Sequence, residues 1–299
     1  MNELINDNIC ELIEKEESTI LSFDTLVLSG GSTKGIIILG ALQYLYDQNY
    51  LNEINNFVGT SCGALIGFLL AIGYTPIEII VYICTNQLVE KVPHFNIVAM
   101  INGHGASSFS NIYEELEKMT IAKIGYIPTF ADIKLKMKKN LYCFSFNITK
   151  NKEEIHCFEN TPDMPCLIAL RMSSNLPLVF ENYKYGNDFY VDGGVCNNFP
   201  LDYAEKIGKK IIGIYFSDEG NHFNSANDIN ILEFIYKLMF VPISQKTNSL
   251  VKNASSKCKL INLKGTKTTY FDFNINSVEK LNMFSCGYQE SKELFEKEQ

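Results

Sequence analysis

Two glycine-punctuated turns in the first quarter of the chain, Gly30-Gly31-Ser32-Thr33-Lys34-Gly35 and Gly59-Thr60-Ser61-Cys62-Gly63, each join an apolar run of strand character to an apolar run of helical character. The first turn stands between residues 24–29 and 36–45, the second between residues 54–58 and 64–71. Further strand-like runs at 141–148, 188–192, 210–216 and 258–263 alternate with helical stretches. That alternation predicts an α/β fold of three layers, α/β/α, around a mostly parallel central sheet.

The second turn places Ser61 between a short strand and a helix, the setting of a nucleophile elbow. A tight strand-to-helix turn forces its central residue into a strained conformation and pushes the hydroxyl outward, while Gly59 and Gly63 keep side chains from clashing across the turn. The following helix begins under Ser61, so its free N–H groups favour a negative charge developing nearby.

The first turn has the same setting and aims backbone N–H groups at an anion. A Walker phosphate loop is excluded, because Gly35 is followed by Ile36-Ile37 where that loop needs Lys and then Ser or Thr. The dinucleotide fingerprint started at Gly30 fails too, with Ser32 at its second glycine. In an acyl-transfer enzyme the anion is the oxyanion of a tetrahedral intermediate, for which one well-aimed donor contributes about 3 kcal/mol. Lys34 sits in the first helical turn, where the dipole disfavours a cation. An exposed lysine without a role and a lysine that fixes the loop or meets an anionic head group both fit.

The base that would activate Ser61 has two candidates. The chain holds four histidines, His94, His104, His156 and His222, and the order Ser, acid, His leaves His222 as the last member of a triad. Asp192 is the alternative. It ends the strand-like run 187–191 and precedes Gly193-Gly194, which leaves little bulk around its carboxylate, although Asp-Gly is also an ordinary turn dipeptide.

The succession Gly-Gly-x-x-Lys-Gly, Gly-x-Ser-x-Gly and Asp-Gly-Gly resembles the patatin-like phospholipase family. Residues 169–180, ahead of Asp192, and Asn197-Asn198-Phe199-Pro200-Leu201, after it, are similar to the family as well. The resemblance covers residues 22–215 and extends towards Gly287-Tyr288-Gln289-Glu290. It implies a Ser-Asp dyad without histidine, Ser61 as nucleophile and Asp192 as base. The oxyanion hole would come from the loop Gly30, Gly31 and Ser32, chiefly the N–H groups of Gly31 and Ser32, with Cys62 N–H contributing. Lys34, Gly35, Gly59, Gly63, Gly193 and Gly194 would complete the motifs. The implied activity is calcium-independent, cofactor-free hydrolysis of acyl esters in glycerophospholipids, of phospholipase A type. Ser32 departs from the family pattern, where a third glycine is usual, and its Cβ narrows the cradle. A catalytically weak lipid or fatty-acyl binder of the same fold is the alternative reading.

The net charge of −8 argues against a nucleic-acid partner and against simple electrostatic attraction to anionic lipid. Residues 134–139, with four lysines, are a local exception that reads as a solvated helix face. Apolar stretches broken by proline at 93–101 and 235–243 suit either flaps over a lipid tunnel or core packing, so transient membrane contact is expected to be apolar. Residues 64–84 carry Gly73, Pro76 and Glu78 and fit two buried helices better than one membrane span. The N-terminus lacks the basic-then-apolar layout of a secretory leader. Nine scattered cysteines without Cys-x-x-Cys spacing point to reduced thiols and a cytoplasmic setting. Cys62 reads as a small apolar filler beside the nucleophile or as a site of thiol sensitivity. No repeat, linker or charge block marks a boundary. The expected organisation is an acidic leader helix over residues 1–21, a single domain over 22–299, and a flexible loop at 217–230.

Overall fold

The computed structural model describes residues 22–86, 107–216, 231–264 and 275–297. The leader at 1–21, the apolar stretch at 93–101, the loop at 217–230 and His94, His104 and His222 lie outside the described residues.

Eight strands form one sheet, in the order β5 (Tyr183–Tyr185), β6 (Asp188–Asp192), β3 (Asn140–Asn147), β2 (Asn56–Thr60), β1 (Thr25–Leu28), β7 (Ile211–Phe216) and β8 (Cys258–Leu263), with β4 (Lys152–His156) also paired to β3. The five strands from β3 to β8 are mutually parallel, while β4 and β6 pair antiparallel with β3 and β5 pairs antiparallel with β6. Every residue of β1 is buried, the mark of a central parallel strand covered on both faces.

Side-chain alternation along the strands builds two cores. Leu26, Leu28, Phe57, Leu141, Cys143, Ile212 and Ile214 face one layer of helices, α1 (Gly35–Asp47), α2 (Cys62–Ala71) and α9 (Ser277–Glu296) among them. Val27, Val58, Tyr142, Phe144, Ile211 and Tyr215 face the other, formed by α7 (Leu201–Ile207) and the end of α8 (Ile231–Lys252). This is the expected three-layer arrangement. The apolar region 64–84 is two helices, α2 and α3 (Pro76–Thr85), that meet at 118°, and among the described residues no single helix is long and apolar enough to cross a membrane. The lysine-rich stretch departs from the expectation of a helix face, because α5 (Phe130–Leu135), which follows α4 (Ser110–Ile124), stops before most of it. Lys136 instead pairs with Asp132, and Lys139 donates to the carbonyl of Ile54. The eight cysteines of the described residues are free thiols.

Strand β3 is the ruler that brings the site together. Its residues Cys143–Asn147 pair with β4 on one edge, so β2 and β6 must share the other. Thr60 ends β2 opposite Phe144, and Asp192 ends β6 opposite Ser145. The two strands therefore run head to head along one edge and deliver Ser61 and Asp192 to the same point, at the carboxyl ends of the parallel strands where α/β sheets bind ligands.

Candidate active site

Ser61 occupies a backbone conformation that L-residues rarely adopt, φ 56° and ψ −129°, between β2 and α2. Such strain costs about 1–3 kcal/mol and persists only where the surroundings enforce it. Here they do. A Cβ on Gly59 would lie 2.6 Å from the carbonyl carbon of Gly63, and one on Gly63 would lie 2.5 Å from the carbonyl oxygen of Leu28. Both positions are thus restricted to glycine, and the turn closes tightly on itself and on β1. The N–H of Ser61 donates to the hydroxyl of Ser173 at 3.0 Å, and its carbonyl accepts the first helical N–H groups, from Ala64 at 2.9 Å and Leu65 at 3.1 Å.

Asp192 is 2% exposed at the end of β6. Its N–H donates to the carbonyl of Asn175 at 2.8 Å, and its Oδ1 accepts the N–H of Gly194 at 2.7 Å. Oδ2 is buried without a formed hydrogen bond. Burial pushes the carboxyl up to about 7, against the opposing effects of the Ser61 hydroxyl and the Gly194 N–H. The hydroxyl is therefore near enough to stabilise the carboxylate, through a contact that has not closed to full hydrogen-bond geometry; catalytic hydrogen bonds often tighten only when substrate binds. Gly193 packs its α-carbon against the carbonyl of Phe144, which seats the turn on β3.

One short segment holds both residues. It is the end of α6 (Cys166–Ser173) with the two residues after it, and it supplies Ser173 to Ser61 and Asn175 to Asp192. Asn175 is itself fixed, its Nδ2 donating to the carbonyl of Tyr190 at 2.8 Å and its Oδ1 accepting from Arg171 at 2.6 Å. Arg171 is buried between the rings of Phe109 and Tyr183, at 4.5 and 4.8 Å, and pairs with Glu181 at 3.0 Å.

The glycine loop after β1 forms the neighbouring wall. The N–H of Gly30 is committed to the carbonyl of Asn198 at 2.9 Å, whereas among the described residues the N–H groups of Gly31 and Ser32 make no backbone hydrogen bond. Ser32 adopts φ 51°, the left-handed region that favours glycine. The N–H groups of Gly31, Ser32 and Gly63 reach the thiol of Cys62 and lower its pKa, although burial and the charge of Asp192 push that thiol up to about 12. Burial and the neighbouring Asp192 outweigh those amides, so the thiol stays protonated. Gly35 packs against Cys62 at the start of α1. Lys34 is 5% exposed, with its ammonium 5.7 Å from the centre of the Phe216 ring, so the exposed lysine allowed by the sequence is excluded.

One open cleft brings the glycine loop, Ser61 and Asp192 together. Gly31, Ser61, Asp192 and Asn198 form its polar side; Leu176, Val195, Met239, Phe240 and Ile243 form an apolar side. The last three belong to α8, which runs unbroken through Pro242, so the stretch 235–243 is helix and not a proline-broken flap. Ser173, Asn175, Asn198 and the α8 residues were not identified as site residues from the sequence. Ser173 and Asn175 do lie in the segment 169–180 that carried the resemblance, and Asn198 lies in the stretch 197–201 that carried it after the Asp-Gly-Gly turn, which was the available signal. His156 takes no part: it is buried, its Nε2 lies 2.8 Å from the hydroxyl of Ser145, and burial pushes its pKa down to about 4.

The chain is similar to known proteins along this same region. It is 42% identical over 191 residues to the probable lipid hydrolase 463L of Invertebrate iridescent virus 6, a match that covers 63% of this chain and 65% of that protein. It is 26% identical over 220 residues to the lysophospholipase NTE1 of Saccharomyces cerevisiae, covering 70% of this chain and 11% of that much longer protein. Among solved structures, VipD from Legionella pneumophila superposes with a TM-score of 0.50 at 17% identity, over 92% of this chain and 67% of VipD, a likeness of fold. The family model for patatin-like phospholipases matches residues 26–205, a span that contains Ser61, Asp192 and the glycine loop. The chain belongs to the patatin-like phospholipase family.

Proposed function

We propose that this protein is a serine acyl hydrolase of phospholipase A type that cleaves fatty acyl esters of glycerophospholipids, with Ser61 as nucleophile and Asp192 as base. The observation that carries the reading is the meeting of a strained Ser61 elbow and a buried Asp192 in one cleft with an apolar wall. The family and the relative described as a probable lipid hydrolase support an acyl-lipid substrate.

In this reading Asp192 takes the hydroxyl proton as Ser61 Oγ attacks the ester carbonyl. Its raised pKa suits a base that works near neutral pH. The carbonyl oxygen becomes an oxyanion held by the N–H groups of Gly31 and Ser32, with Cys62 N–H at the start of α2 assisting. Collapse of the intermediate expels the alcohol, which takes the proton back from Asp192, and leaves an acyl-Ser61 ester. Water, losing a proton to Asp192, then attacks the acyl-Ser61 carbonyl; the bond to Ser61 Oγ breaks, Oγ takes the proton back from Asp192, and the fatty acid is released. Leu176, Val195, Met239, Phe240 and Ile243 supply the apolar contacts for an acyl chain. Every group in the scheme is a side chain or backbone amide of the chain, so the activity is expected to survive calcium chelation.

The test is a phospholipid panel with chromatographic analysis of the products. The wild type should release free fatty acid and lysophospholipid from phosphatidylcholine in the presence of a calcium chelator. The Ser61→Ala variant should release neither; equal release by that variant would refute the assignment.

A further inference from the structure

Helix α8 presents apolar side chains in two opposite directions. At about 100° per residue, Met239, Phe240 and Ile243 share the face that lines the cleft beside Ser61 and Asp192. Phe234, Leu238 and Val241, spaced i, i+4 and i+7, share the opposite face, with Ile235 at its margin. They are 47%, 57%, 53% and 36% exposed in that order. A surface helix ordinarily turns charged and polar residues to solvent, and a helix apolar all round is found in a core or against lipid. The only charged residue between Phe234 and Ile243 is Lys237.

We propose that the outward face of the first half of α8, centred on Phe234, Leu238 and Val241, is the surface by which this protein docks on a phospholipid bilayer. The assignment deepens the lipid-hydrolase reading and rests on it. Its occupant follows from continuity with the cleft: the same half-helix borders the substrate site on one side and solvent on the other. A bilayer seated on the outer face is separated from the cleft by the width of one helix, about 10 Å, and Ile235 at the margin of that face leads round towards Met239 and Ile243 on the cleft side. The second half of the helix serves a different purpose. Val251 packs against the core over β7 and α7, and Lys246 donates to the carbonyl of Cys196 at 3.1 Å, which anchors the helix to the turn after Asp192. With a net charge of −8, docking is driven by apolar burial, so it persists at high salt and needs no anionic lipid.

The test compares the full chain with the double variant Phe234→Gln, Leu238→Gln, in which glutamine keeps helix propensity and adds no charge. Cosedimentation with phosphatidylcholine vesicles, done in a Ser61→Ala background so that binding is read without turnover, should weaken about tenfold or more in the double variant. With Ser61 intact, turnover of vesicle phospholipid should fall in parallel, while hydrolysis of a monomeric short-chain nitrophenyl ester stays within about twofold of wild type. Unchanged vesicle binding would overturn the proposal. So would an equal loss on the soluble ester, which would place these residues in the site itself, or a wild-type dimer that the double variant converts to monomer, which would make a second copy the occupant. Vesicle binding by a chain that hydrolyses neither substrate would refute the enzymatic reading and leave the docking surface standing.

Discussion

Asn198 holds Gly30 at both ends: its carbonyl accepts the N–H of Gly30 at 2.9 Å, and its Nδ2 donates to the carbonyl of Gly30 at 3.2 Å. The glycine loop is thereby tied to the turn that carries Asp192, and its position relative to that carboxylate is fixed. The fit is close, since any Cβ on Gly30 would collide with the Asn198 side chain.

Asn198→Ala removes the side-chain half of this clamp and leaves the backbone half. On the proposed mechanism kcat falls about 10- to 100-fold, less than the loss of a direct oxyanion donor, with a smaller change in KM. Steady-state kinetics on a soluble ester, beside a melting curve that shows the variant folded, checks the split.

The raised pKa of Asp192 sets a pH profile. As the base it must be ionised, so kcat/KM should rise with pH through an apparent pKa of about 7 and level off above it. The same shift works against stability. The folded state holds this proton more tightly than the unfolded chain, whose carboxyl has its ordinary value of 3.8. The group's contribution is therefore fully present below 3.8 and is lost as pH rises through about 7, a cost of about 4 kcal/mol by linkage. Asp192→Asn should abolish turnover and still melt at or above the wild-type temperature at about pH 8. Melting well below wild type there would contradict the assignment of a buried, unfavourable charge.

Ser32 adopts φ 51°, where an L-residue is strained. Ser32→Gly relieves that strain while loosening the unfolded chain, for a net stabilisation of about 0.5–1 kcal/mol. Turnover should be equal to or above wild type, because the N–H is kept and the Cβ removed. Thermal denaturation and kinetics on one preparation test both statements.

Arg171→Leu removes the support under Asn175 and, through it, under Asp192. The guanidinium is buried between aromatic rings and bonded to Asn175, whose backbone holds Asp192. Its loss strands the Asn175 amide oxygen and should cost about 2–3 kcal/mol of stability. Activity measured well below the melting point should fall too, through kcat, because Asn175 no longer has a fixed geometry.

The parallel centre of the sheet was legible because its strands are buried on both faces and read as unbroken apolar runs, as Leu26-Val27-Leu28 and Ile211-Ile212 do. β4 was not, since Lys152-Glu153-Glu154 lies at an edge and lacks the alternation that a half-buried strand shows. β5 is three residues long and half or fully exposed, with too little pattern to detect. Ser61 announced itself through local chemistry, a tight turn that demands glycine on both sides. Asp192 could be named but not placed, because its proximity to Ser61 depends on β2 and β6 sharing one edge of β3, a non-local pairing. The same holds for Ser173, Asn175 and Asn198, whose roles arise from hydrogen bonds across more than a hundred residues to Ser61 and Gly30, or across seventeen to Asp192. In α8 the apolar composition was visible, but which residues face the cleft follows only from where the helix is anchored.

The central claim is that Ser61 is an activated nucleophile served by Asp192. Labelling with a long-chain fluorophosphonate, followed by peptide mass spectrometry, tests it most directly. The account predicts a single adduct on Ser61 in the wild type, none in Ser61→Ala, and labelling of Asp192→Asn slowed by about two orders of magnitude or more. Failure of the folded wild type to label with lipid vesicles present, or labelling of Asp192→Asn at the wild-type rate, would contradict it.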